Sequence, residues 1–182
     1  KTGTLTQNEM TVREIFAGGE FFEVAGTGYE AEGGLRRAGA TLEAADHPAL
    51  IACLRGGLLC NDAQLTRRAG RIAVQGDPTE LALLVAGEKG GLVHADTQRA
   101  SPLVDVIPFE SAHMFRATLH EAPAGRVIYQ VGAVERVIEH CADALDREGK
   151  KIPLDRAAVH GALAQMAGRG LRVLAVACRQ VG

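Results

Sequence analysis

The side chains able to do chemistry are few and scattered along this sequence. In "PFES" at 108–111, Phe109 and Ser111 follow a proline; taken alone, Phe109 is an ordinary core residue at a strand end. "GDPTE" at 76–80 carries two carboxylates at helix-start spacing. Asp77 can cap the helix, Pro78 suits its first position, and Glu80 can reach back to the cap N–H as a capping box, with no ligand needed. "GLRVLAVA" at 170–177 sets Arg172 in an otherwise apolar run. Burying an unpaired charge is costly, so Arg172 requires an anion, an edge position, or an internal partner such as Glu80 or Glu135. The glycine-rich stretches "GTGYEAEGG" and "GEKGG" lack the G-x-x-x-x-G-K-[ST] spacing of a phosphate loop and read as turns, with Tyr29 packing its loop onto a sheet. The six histidines show no ligand spacing, and no metal is assigned.

Bulk composition narrows the classes. The chain has 182 residues, 47% of them hydrophobic, which suffices for one domain with a real core. Lys and Arg number 20 against 22 Asp and Glu, so there is no basic footprint for nucleic acid or an anionic membrane. Aromatics are scarce and Trp is absent, which argues against a stacking platform for single strands. Cys53, Cys60, Cys141 and Cys178 form no C-x-x-C pair and read as buried, reduced thiols, Cys53 and Cys60 on one helical face. No apolar run approaches a membrane span.

The elements that must position these residues follow from periodicity. Residues 10–16 and 20–25 read as a hairpin turning at Gly18-Gly19. Gly26 to about Thr41 reads as loop. Residues 47–60 are helical, 71–76 a short strand, and "DPTELALLVAGEKGG" a helix that stops at glycine. Three apolar runs, 103–109, 115–121 and 126–131, read as an antiparallel meander. Its alternation puts Met114 and Arg116 on one face, opposite His113 and Phe115. "GAVERVIEHC" and 154–167 are helical, the latter with Val159, Ala162, Leu163 and Met166 inward, and "LRVLAVAC" closes as a strand. The predicted class is α+β: a mostly antiparallel β-sheet flanked by helices.

The opening "KTGTLTQNEM" closely resembles the phosphorylation loop of P-type ATPases, whose D-K-T-G-T-L-T begins with the aspartate that becomes phosphorylated. Here the match starts one residue after that aspartate. "GTGYEAEGG", "LCNDA", "GDPTELALL", "IPFES", "GAVERVIEHC" and "GLRVLAVA" follow in family order and cover nearly the whole chain. The subgroup it most resembles is the bacterial cation pumps related to calcium-transporting ATPases.

The resemblance implies a division of the chain. Residues 1–9 would be a remnant of the phosphorylation-domain loop and hinge, carrying Lys1, Thr2, Gly3 and Thr4, and 10–182 the nucleotide-binding domain. Phe109 would stack on adenine, Glu80 would accept its amino group, and Arg172 would bind phosphates through a planar, permanently charged guanidinium. Ser111, Gly132 and Ala133 would line the same pocket. Two positions depart from the pattern. The family's K-G-A-x-E reads "VGAVE", leaving Val131 where a pocket lysine stands, and Met114 replaces a further basic residue. His113 or Arg116 is the expected compensating cation, Arg116 being on the face of position 114.

The expected function is therefore an ATP-binding domain of a cation-transporting pump. It presents ATP, accompanied by magnesium held mainly by the neighbouring domain, to an aspartate outside this sequence. Its partners are the phosphorylation and actuator domains of the same polypeptide, with no nucleic acid and no direct membrane contact, and the fragment is expected to be a monomer. It would be a cytoplasmic domain of an integral membrane protein. No catalytic residue is assigned, and the chain alone is expected to bind nucleotide without hydrolysing it. Two alternatives stand beside this: a degenerate domain serving as a regulatory or docking surface, and a phosphatase in its own right, since K-T-G-T also resembles the nucleophile loop of haloacid-dehalogenase-like enzymes.

Overall fold

Gly18 and Gly19 both take left-handed backbone angles (φ 61° and 77°), the geometry a two-residue hairpin turn demands. They join β1 (Glu14–Ala17) to β2 (Glu20–Val24), paired antiparallel as the sequence predicts. The computed structural model describes residues 9–68 and 71–181. The phosphorylation-loop residues Lys1, Thr2, Gly3 and Thr4 lie outside the described residues.

The stretch read as loop between Gly26 and Thr41 is only partly loop. It contains β3 (Leu35–Arg37) and β4 (Ala40–Leu42), which complete a four-stranded sheet in the order β1-β2-β3-β4. The turn between them is Ala38-Gly39, and Ala38 itself sits at φ 49°. Three-residue strands carry too little alternation to register as period two, so the sequence hid them. The glycine-rich 26–34 segment does read as turns, with Gly26, Gly28, Gly33 and Gly34 all at positive φ.

After a short 3-10 turn, α1 (Pro48–Leu59) runs between two cores. Its first half buries Leu50 and Leu54 against Ile15, Phe22, Val24 and Leu35 of the small sheet. Its last turn buries Leu58 and Leu59, with Cys60 just beyond, against Val127, Tyr129 and Val131 of a second sheet. Cys53 and Cys60 therefore serve different cores rather than one face. Cys60 is buried, Cys53 and Cys141 are partly buried, and Cys178 is exposed; all four are free thiols. Burial raises the Cys53 and Cys60 thiols to about 11, so both stay protonated at neutral pH.

Next come the hairpin β5 (Gln64–Arg68) and β6 (Arg71–Gln75), of which the sequence showed only the second strand. Helix α2 (Pro78–Lys89) follows, then α3 (His94–Ala100). Tyr29 packs with Ala63, Leu81 and Val85, with Leu65 and Ile72 of the β5–β6 hairpin against the same cluster, so it ties the glycine-rich loop to α2 and to that small sheet. In "GEKGG", Gly87 to Lys89 belong to α2, and only Gly90 and Gly91 form the stop. Lys89 is buried there and donates to the Ala25 carbonyl at 2.7 Å, which fastens the same loop.

The predicted meander is present as β7 (Leu103–Glu110), β8 (Phe115–Ala122) and β9 (Gly125–Gly132). It is followed by α4 (Val134–Glu139), the small hairpin β10 (Asp143–Leu145) and β11 (Lys151–Pro153), α5 (Arg156–Gly168) and β12 (Ala175–Val181). The second sheet has the order β12-β9-β8-β7 and every pairing in it is antiparallel. Antiparallel sheets with five helices make this an α+β domain, as expected. Helix α5 buries Ala162 and Met166, while Val159 and Leu163 are only partly buried. No helix among the described residues is long and apolar enough to cross a membrane.

Candidate functional site

One end of the second sheet collects most of the singled-out residues, and the ladder registers show why. Phe115 pairs with Gly132, and Gly132 pairs with Ala175. The end of β7, the start of β8, the end of β9 and the start of β12 therefore lie side by side. Phe109 is on β7, Ser111 opens the turn to β8, Gly132 and Ala133 close β9, and Arg172 precedes β12 by three residues.

Phe109 is 55% exposed, which removes the reading of an ordinary core residue. It belongs to an edge strand whose residues are all exposed, Leu103 and Ile107 among them. Gly132 has a structural reason for lacking a side chain. A Cβ there would stand 2.4 Å from the Met114 carbonyl oxygen and 2.5 Å from the Phe115 Cα. The space beside Gly132 is thus filled by the β7–β8 turn of the same chain, and Ala133 N–H donates to the same Met114 carbonyl at 2.9 Å.

Three expectations about the charged residues need correction. Arg172 does not sit inside a strand: β12 begins only at Ala175, and Arg172 is exposed in the extended segment before it. The argument that its charge demanded a buried partner falls away, because water solvates it. Met114 and Arg116 do not alternate along one strand. Met114 lies in the turn at φ 59°, and β8 starts one residue later. The capping box is half formed. Asp77 caps α2 by accepting from Thr79 N–H at 2.7 Å, but Glu80 turns away from the cap.

Glu80 turns instead toward Arg116. The guanidinium Nη1 of Arg116 lies 3.4 Å from Glu80 Oε1 and 3.0 Å from Asp62 Oδ2, and only 12% of the arginine side chain is exposed. The internal salt bridge considered for Arg172 is therefore made by Arg116. The loop after α1 holds this arrangement. Asn61 Nδ2 donates to the Glu80 carbonyl at 2.7 Å, and Asn61 Oδ1 accepts from Ala63 N–H. Cys60 Sγ donates to the Arg116 carbonyl at 3.4 Å. Burial, with Asp62 beside it, pushes the Glu80 carboxyl up to about 7, whereas Asp62 is held below the usual carboxylate range by its hydrogen bond with Glu80 and by Arg116. Asp62 is the site residue that sequence reasoning missed; "LCNDA" was recognised only as a family mark.

Val131 is 7% exposed and packed in the core under α1. Its direct partner in the β8–β9 ladder is Arg116. Directly opposed residues of an antiparallel pair project from the same face, so Arg116 occupies the face on which position 131 projects, one strand across. The buried Nε of Arg116 has no hydrogen-bond partner among the described residues, so the guanidinium retains one unmet donor.

A family model described as the P-type ATPase cytoplasmic domain N matches residues 49–182. The chain belongs to this family. Relatives match along all or nearly all of this chain. It is 42% identical to the cation-transporting ATPase pma1 of Synechocystis, over 100% of this chain and 20% of that protein. It is 39% identical to the probable cation-transporting ATPase F of Mycobacterium tuberculosis, over 96% of this chain and 19% of the relative. It is 33% identical to the calcium-transporting ATPase of Bacillus subtilis, over 100% of this chain and 21% of the relative. The chain thus spans about a fifth of the length of the curated relatives it matches. No group of three or more His, Cys, Asp or Glu arranged to hold a metal occurs among the described residues of this N domain.

Proposed function

We propose that this N domain binds ATP and presents it to a phosphorylatable aspartate in an adjoining domain of a cation-transporting ATPase. The observation that carries the reading is Phe109, a large aromatic ring left 55% exposed beside the turn that abuts Gly132. An exposed ring fits stacking on a purine and serves no core. Glu80 and Arg116 supply an acceptor and a cation, and exposed Arg172 is free to swing toward phosphates. Phosphoryl transfer depends on positioning and charge stabilisation, and this chain supplies positioning. Magnesium would accompany the nucleotide and be held chiefly by the neighbouring domain. In the whole protein the domain would lie on the cytoplasmic side of a membrane pump, with the phosphorylation and actuator domains as its partners. Chemical-shift mapping with ATP tests the reading. Shifts clustering at Phe109, Glu80, Arg116 and Arg172 are expected, and their absence at high ATP rejects it.

A second reading is favoured by one specific observation. Val131 is buried core, and the nearby cation Arg116 is already engaged by two carboxylates. Such a site suits a domain that has lost affinity for nucleotide and acts as an interdomain docking surface. The same titration separates the two.

A further inference from the structure

Among the described residues, Arg116 carries the only positive charge in a cluster with two carboxylates, and the three do not contribute equally. Glu80 is mostly buried and its carboxyl is raised to about 7, so near neutrality it is partly uncharged. Asp62 is different. Its side chain is 66% exposed, it stays ionised, and it makes the shorter contact to Arg116 at 3.0 Å. Asp62 sits on the loop directly after α1, which is fixed by Asn61 and not by the Arg116 pair itself. The carboxylate is therefore presented to the guanidinium by an independently held backbone. The pair is also lopsided: Arg116 is 12% exposed and keeps a buried, unpartnered Nε. One partner is solvated and replaceable, and the other has a donor still unmet.

We propose that Asp62 is an internal competitor that occupies Arg116 and sets the nucleotide affinity of this domain. A nucleotide polyphosphate is a strong anion. To use Arg116 it must displace or share with a carboxylate that is tethered at contact distance and so present at high effective concentration. With Asp62 and Glu80 both ionised the cluster carries one net negative charge, which opposes the approach of an anion. Removing the Asp62 charge leaves Arg116 facing one carboxylate in place of two, without the net negative charge that opposes an anion. The proposal rests on the nucleotide reading above and names the residue that limits it.

The test uses the 182-residue chain with ATP as the probe, followed by titration calorimetry and by the ¹⁵Nε resonance of Arg116. Asp62→Asn is expected to bind ATP roughly two- to fivefold more tightly, the range an ion pair of this exposure allows. Asp62→Ser is the second substitution; a side chain this exposed tolerates either, and thermal melting confirms that each variant is folded. The gain is expected to vanish in an Arg116→Ala background, because a merely structural Asp62 or a general charge effect would not depend on that arginine. Affinity unchanged or weakened in both Asp62 variants overturns the proposal, as does a gain that persists without Arg116. A Phe109→Ala variant separates this from failure of the underlying reading. ATP binding that needs Phe109 but is indifferent to Asp62 overturns the competitor alone. Binding that is absent in every variant, or indifferent to Phe109, overturns the nucleotide reading and the proposal together.

Discussion

Phe109 and Glu80 show how differently a residue reads in sequence and in structure. The sequence offers a buried ring and a capping carboxylate; the fold exposes the ring and gives the carboxylate to Arg116. Because Phe109 contributes little to any core, Phe109→Ala is expected to abolish ATP-induced shifts while changing unfolding free energy by no more than about 0.5 kcal/mol, the usual range for exposed substitutions. Glu80 predicts a pH effect. Its folded value of about 7 lies above the ordinary carboxylate value, so folding favours its protonated form. The associated stability is complete below the unfolded value and is lost as pH rises through about 7. Urea titrations at pH 5 and pH 8 are therefore expected to show Glu80→Gln gaining on the wild type as pH rises. A constant difference would mean that the carboxyl does not titrate in this window.

At the scale of elements, caps and ladders decide which sequence signals were trustworthy. The start of α2 was legible because Asp77-Pro78 is local chemistry, and Asp77→Ala is expected to cost about 1 kcal/mol by chemical denaturation, as for other caps. The hairpins β3–β4 and β10–β11 were not legible, since three-residue strands owe their form to pairing and not to pattern. Gly132 illustrates the same limit. The resemblance implies a place for it in the pocket, but not that the β7–β8 turn fills the space beside it. Gly132→Ala is expected to be strongly destabilising, because a Cβ would meet backbone atoms at 2.4 and 2.5 Å and backbone cannot step aside. The β8–β9 register adds a paired prediction. Val131→Lys alone would place a second cation directly opposite Arg116 and lower the melting temperature. Adding Arg116→Met is expected to recover part of the loss, and additive melting shifts would show that the two positions do not interact.

For the molecule as a whole, the proposed nucleotide binding makes the count of available cations the expected limit on affinity. With position 131 apolar and buried and Arg116 held by Asp62, the 182-residue chain is expected to bind ATP only in about the millimolar range, since losing one charged contact costs about 1.5–3 kcal/mol. A submicromolar dissociation constant by calorimetry would contradict this. The sequence by itself determined the family, the α+β class, the long helices and the three-stranded meander, because motif identity and strong periodicity are carried by near neighbours. It also showed that the lysine of the family pattern is missing. Only the tertiary structure decided where the remaining charges go. Asp62, Glu80 and Arg116 come from three separate elements, so their meeting depends on how α1, α2 and β8 pack, and no local pattern encodes it. The same packing places Arg116 across from Val131, on the face from which position 131 projects, where a neighbouring carboxylate already engages it.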